Sequence, residues 1–235
     1  IYLNSQKVLL IIGSDYMNLE VIKKYAPNIY FDEREPFYPI KIGCTVFTEP
    51  KMSPSFRREI IFDTKTIKYV IEYAIYWDFD IQHLFELEHV WVYVDHNGEV
   101  IDCEASFHGK YIKGLLKDKS NIEQNTHVRL YSQPGKHAFS PVAQLFELIP
   151  NMEKATWEEA GVGGLLVTSV AKGRYQTNEE INKKVKGYIK QFRFRPSMTY
   201  KKYVFDDNIF TDWPTLNNEI PRFIEKKLDE ISNLY

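Results

Sequence analysis

Every second residue from Ile67 to Trp77 is aliphatic or aromatic: Ile67, Tyr69, Ile71, Tyr73, Ile75 and Trp77. A period of two is the repeat of an extended chain, so the pattern predicts a strand over Thr66 to Phe79. Apolar residues also stand at the intervening positions, which predicts burial on both faces. Glu88 to Asp95 repeats the pattern, and Asp95-His96-Asn97-Gly98 follows it. Asn-Gly supplies the positive φ angles of a tight hairpin turn, so Val100 to Phe107 is expected as the partner strand. A further strand is predicted over His127 to Ser132, ending at the turn residues Gln133-Pro134-Gly135. These runs make the fold mainly β (α+β).

The remaining segments read differently. Lys7 to Gly13 is a short aliphatic run, a buried strand or a helical turn. Leu19 to Tyr25 has helical spacing and stops before Ala26-Pro27. Asn28 to Gly43 is aromatic and punctuated by Pro36 and Pro39, hence extended. Gly161 to Gly173 is apolar and contains glycine, but no Gly-Lys-Ser/Thr follows it, so it is not a phosphate loop. Asn178 to Gln191 predicts an amphipathic helix capped by Thr177 or Asn178. Pro221 to Leu234 predicts a second, with Pro221 at its start. The economical organisation is one domain over residues 1–235, with a β core at about 25–150 and a helical extension at about 151–235 packed on it.

Composition narrows the function classes. A net charge of −2 gives no basic face for nucleic acid. No run approaches the length of a transmembrane helix. Cys44 and Cys103 either pair or remain as two buried thiols, since two cysteines make no disulfide framework. The chain opens on Ile1 rather than Met, which leaves the compartment open. No GxSxG, HExxH or dinucleotide fingerprint is present, and the oligomeric state is not legible.

The chemistry concentrates between the two long strands. Asp78, Asp80, His83, Glu86 and Glu88 place five ligand-type side chains within eleven residues. Glu86 and Glu88 point to the same side of an extended chain, and a loop after Trp77 can return His83 and one aspartate over that side. If Val90, Val92 and Val94 face the core, Glu88 shares their register, and a buried carboxylate needs a cation or hydrogen bonds. One imidazole with carboxylates suits a divalent metal ion: Ca²⁺ or Mg²⁺ first, with Mn²⁺ or Zn²⁺ also compatible. His108 and His137 both follow strands, and His89 faces away from the cluster by alternation.

Four patches, in order, resemble the necrosis- and ethylene-inducing-peptide-like (NLP) proteins and a related vacuolar protein sorting-associated family. Gln82 to Val90 is similar to the GHRHDWEHV region, in which His stands five before Glu and an acid two before it; here these are His83, Glu88 and Glu86. Ser106-Phe107-His108-Gly109-Lys110-Tyr111 resembles S-x-H-G-x-Y. Gly135-Lys136-His137-Ala138 is similar to G-S-H-A. Tyr25-Ala26-Pro27 through Phe31, with Glu35 and Tyr38-Pro39, resembles A-P-x-x-Y/F…E…Y-P. The resemblance spans residues 25–140. It implies a β-sandwich with flanking and C-terminal helices and a divalent metal in a surface cavity, held by His83, Glu86, Glu88 and either Asp78 or Asp80. Leu84, Phe85 and Leu87 replace polar or aromatic residues of the pattern, which separates metal binding from any inherited toxin activity.

Two functions follow as expectations. One is a metal-binding sandwich that takes a small polar ligand, such as a sugar or lipid headgroup, beside the ion. The other is a metal-dependent hydrolase in which His108 or His137 acts as acid or base on an activated water.

Overall fold

The computed structural model describes residues 19–167 and 173–234, so the expected element at Lys7 to Gly13 lies outside it. Helix α1 (Leu19–Tyr25) leads into strands β1 (Asn28–Asp32) and β2 (Lys41–Phe47). The short hairpin β3 (Lys51–Met52) and β4 (Glu59–Ile60) follows. Next come β5 (Ile67–Phe79), β6 (His83–Asp95), β7 (Val100–Phe107), β8 (Lys110–Lys113), β9 (Ile122–Glu123), β10 (His127–Ser132) and β11 (Phe139–Ser140). Helices α2 (Gln144–Glu147) and α3 (Met152–Thr156) precede β12 (Gly164–Leu165). Helix α4 (Glu179–Ile189), β13 (Tyr200–Lys202), β14 (Phe210–Asp212) and α5 (Trp213–Ser232) complete the described chain.

Among the described residues one sheet runs β14-β2-β5-β6-β7-β8, with β12 joined to the start of β6. A second runs β11-β10-β1-β13, with β9 on β10. The long strands β5 and β6 pair antiparallel along almost their whole length. Their odd and even positions part as the pleat requires. Ile71, Tyr73, Ile75 and Trp77 of β5, with Val90, Val92 and Val94 of β6, share the main core with Ile29, Phe31, Leu130 and Phe139 of the second sheet. Phe31 and Phe139 both lie against the Trp77 ring, with centroids 6.5 and 6.3 Å away.

The other face of β5 and β6 is covered twice, which explains why both faces read as apolar. The β3–β4 hairpin closes one end over Val70, Trp91 and Tyr93, with Phe47, Ile60 and Phe62. Helix α5 closes the other, where the Tyr76 and Phe223 rings are 5.5 Å apart. A residue such as Trp77, wholly enclosed, contributes roughly 2–3 kcal/mol of apolar burial before ordering costs. Cys44 and Cys103 are both buried and free.

The structure corrects the expected start of the last helix. Helix α5 starts at Trp213, eight residues before Pro221, and Pro221 lies inside it. Asp212 caps the helix by accepting from the Thr215 N–H at 2.8 Å, and Pro214 sits in the first turn, where its missing N–H costs nothing. The C-terminal third also supplies strands: β13 pairs antiparallel with β1, while β12 and β14 pair parallel with β6 and β2, so one sheet gains one strand and the other two.

Candidate metal centre

The centre is built on the turn between β5 and β6. Strand β6 starts at His83 itself, so a tight turn brings Asp80 beside His83 and Glu86, which both stand on β6. Asp80 shapes that turn. Its Oδ1 accepts from the N–H groups of Gln82 and His83, the latter at 3.0 Å, while the Asp80 N–H donates to the His83 carbonyl at 2.9 Å. An aspartate that bonds its own turn in this way fixes both backbone and carboxylate. Its second oxygen, Oδ2, is left to face the cluster.

Around that oxygen, Asp80, His83 and Glu86 bring one donor atom each to within 4.8 Å of one another. His83 Nε2 lies 3.3 Å from Asp80 Oδ2 and 3.8 Å from Glu86 Oε2. The other ring nitrogen, Nδ1, is 2.9 Å from the Phe85 carbonyl. A carbonyl only accepts, so Nδ1 carries the proton and neutral His83 turns the lone pair of Nε2 toward two carboxylate oxygens. Burial pulls the His83 pKa down, against the charge of Asp80, and keeps the ring neutral. His83 and Glu86 leave 14% and 16% of their side-chain surface exposed, so the cluster reaches solvent on this side.

Glu88 lies two residues along β6 on the face of Val90 and Val92, as its register predicts, and only 6% of it is exposed. It accepts a hydrogen bond from Ser106 Oγ of β7, which in turn accepts from the His89 N–H at 2.6 Å. Burial pushes the Glu88 pKa up to about 7, with Ser106 and Lys136 opposing the rise. Glu86 is pushed well above the usual carboxylate range, first by burial, then by the charges of Glu88 and Asp80. Burial would raise Asp80 too, but neighbouring positive charge holds it below its ordinary value. The charge of His83, protonated at the low pH where Asp80 titrates, and that of Lys136, whose Nζ donates to Asp80 Oδ2, both act in that direction.

Of the two candidate aspartates, only Asp80 joins the group. Asp78 sits one residue from Trp77 and projects to the opposite face, where its Oδ2 is 3.4 Å from Lys227 of α5 and Tyr76 Oη donates to its Oδ1 at 3.2 Å. His137 is wholly enclosed, its ring stacked on Trp77 and its Nε2 3.4 Å from Glu35 Oε1. The ring has no exposed surface, so the acid–base role expected of His137 would require the Trp77–His137 stack to open to a substrate. His108 is exposed at the β7–β8 turn, where Nε2 donates to Gln133 Oε1 at 2.7 Å.

Three neighbours of the centre carry no ligand pattern of their own. Ser106, Glu35 and Lys136 all belong to the sequence patches without a role there, and Lys136 lies in a turn of the other sheet. Glu35 Oε2 accepts from the Gly135 N–H at 2.7 Å, and the Gly135 carbonyl accepts from the Ile81 N–H at 2.7 Å. Gly135 has φ +67°, and a Cβ there would come within 2.8 Å of Ile81, so only glycine lets the two turns dock. The Gly161–Gly164 segment has a similar use. Its β12 strand runs parallel to the start of β6, and a Cβ on Gly163 would stand 3.0 Å from that of His83.

No family model and no curated protein matches this chain. Solved structures of NLPPya, an NLP-family protein, do match: its complexes with glucosamine and with mannosamine are each 17% identical to this chain, with a TM-score of 0.35. Each match covers 52% of this chain and 64% of the other, so it spans less than two thirds of NLPPya's own length. A likeness of that size carries no argument about ligand or activity.

Proposed function

We propose that the protein is a divalent-cation-binding β-sandwich in which Asp80, His83 and Glu86 hold the ion, Glu88 adds charge beside them, and a small polar ligand such as a sugar or lipid headgroup binds at the exposed side. One observation carries the reading. The Nδ1 bond to Phe85 aims an unprotonated imidazole nitrogen at two carboxylate oxygens, and Lys136 offsets the repulsion at only one of them, Asp80 Oδ2, which leaves a place for a cation between His83 and Glu86. The raised pKa values of Glu86 and Glu88 fit the same shortage of positive charge.

When bound, the ion supplies positive charge and open coordination positions for the oxygens of a ligand. The chain's own residues do the rest. Asp80 is preset by its turn, His83 by Phe85, and Glu88 by Ser106, so the donors need little reorganisation. One imidazole among carboxylates favours Ca²⁺, Mg²⁺ or Mn²⁺ over an ion that wants several nitrogen or sulfur donors.

The test is metal content of the purified protein, with calorimetric titration of Ca²⁺, Mg²⁺, Mn²⁺ and Zn²⁺. His83→Ala is expected to weaken binding by more than the roughly 10–100-fold that loss of an outer-shell partner of a ligand costs. Asp78→Asn, on the opposite face, is expected to leave affinity unchanged. Absence of binding by the intact protein up to millimolar ion would sink the reading.

A further inference from the structure

We propose that Lys136 is a tethered cation of this centre: its ammonium holds the place beside Asp80 that a divalent ion would take, and the ion enters only when the lysine swings out. The inference rests on the metal-binding reading above.

The competition is for a single atom. Asp80 Oδ1 is committed to the N–H groups of its own turn, so Oδ2 is the oxygen that faces the cluster. Lys136 Nζ donates to that same Oδ2, which lies 3.3 Å from His83 Nε2. An ammonium there offers hydrogen bonds to oxygen and also to the lone pair of an unprotonated imidazole. The lysine can therefore quiet the repulsion that otherwise demands a metal.

The anchor of Lys136 is rigid, while its stem is not. Gln133 accepts from the Lys136 N–H at 3.1 Å, Glu35 holds the Gly135 N–H, and the Gly135 carbonyl binds Ile81. The backbone of the turn is thus fixed against the β5–β6 turn. The side chain has four rotatable carbons, and 14% of it is exposed, so it has a path to water. Partial neutralisation also leaves the centre short of cation. Beside the Lys136 charge stand three acidic side chains, of which Asp80 takes the ammonium, Glu88 accepts from Ser106 Oγ and Glu86 accepts from the adjacent Leu87 N–H. A divalent ion replaces one positive charge by two, which drives the exchange once the ion is plentiful.

The chain as it exists and two variants, Lys136→Met and Lys136→Gln, are titrated with Ca²⁺ and with Mn²⁺ by calorimetry. If the lysine occupies the centre nine times in ten, its removal tightens the apparent affinity about tenfold. Equal affinity in all three proteins, or weaker binding in the variants, overturns the proposal while the metal site stands. Absence of binding in all three overturns both readings together. Should the variants melt, the intact protein still decides. Its Lys136 is acylated with a water-soluble N-hydroxysuccinimide ester and followed by mass spectrometry. Saturating Ca²⁺ is expected to speed labelling several-fold, and an unchanged or slower rate overturns the exchange.

Discussion

The rings of Trp77 and His137 lie face to face, 4.6 Å between centroids and 4° from parallel. One belongs to β5 and the other to the turn between β10 and β11, so the stack ties the two sheets together beside the candidate metal centre. His137 has φ +59° and an Nδ1 without a hydrogen-bond partner among the described residues. These are costs that the stack and Glu35 offset. His137→Ala is therefore expected to lower stability by about 2–4 kcal/mol, as for other large-to-small changes in a core. Denaturant unfolding measures this. A variant that loses turnover of some substrate at unaltered stability would instead restore His137 as an acid or base.

Glu88 gives the apo protein a pH dependence of definite sign. Its carboxyl loses its proton near pH 4.5 in the unfolded chain and near 7 when folded. Between those values the folded state holds the extra proton, so stability falls as pH rises from 4.5 to 7 and is level above, a loss of roughly 3 kcal/mol from this group. Glu86 acts in the same direction. Glu88→Gln, neutral throughout, is expected to flatten the curve between pH 5 and 7. On the proposed function a divalent ion would bind the ionised carboxylates, so added Ca²⁺ should raise Tm more at pH 8 than at pH 5. Thermal melts across pH, with and without Ca²⁺, provide the check. A stabilisation by Ca²⁺ that is larger at pH 5 would contradict the assignment of these two groups.

How much of this was readable beforehand depends on the range of each interaction. The β5 and β7 strands and the Asn-Gly hairpin are local patterns, and they stand within a residue of their expected limits. Asp80 over Asp78 was also within reach: continuing the alternation through Trp77 sends Asp78 to the far face. The start of α5 was hidden because Pro221 resembles a first-turn proline, while the stronger signal, Asp212 before Trp213-Pro214, lay upstream. Strands β13 and β14 are three residues each, too short to show a period. Lys136 was illegible for a different reason. No local pattern says that a turn of one sheet docks, through Gly135 and Ile81, on a turn of the other.

The opposite face of β5 and β6 carries a second buried polar group that tests how independent the centre is. Glu72 is wholly enclosed and accepts from Ser53 Oγ at 2.5 Å, Ser55 Oγ at 2.6 Å and Trp91 Nε1 at 2.7 Å. Ser55 gives its proton to Glu72, so its bond of 2.9 Å with His89 Nε2 makes the imidazole the donor there. Two serines of the β3–β4 segment thus hang on one carboxylate of β5. Glu72→Ala strands three buried donors, at about 1–3 kcal/mol for each that finds no water, so a total near 3 kcal/mol is expected. The hairpin should loosen first, visible as faster amide exchange across residues 51–60. Cation affinity should not change, because Glu72 and Glu88 project from opposite faces of the sheet. A tenfold loss of Ca²⁺ binding in Glu72→Ala, with the β5–β6 core still protected from exchange, would mean that the two polar groups form one network.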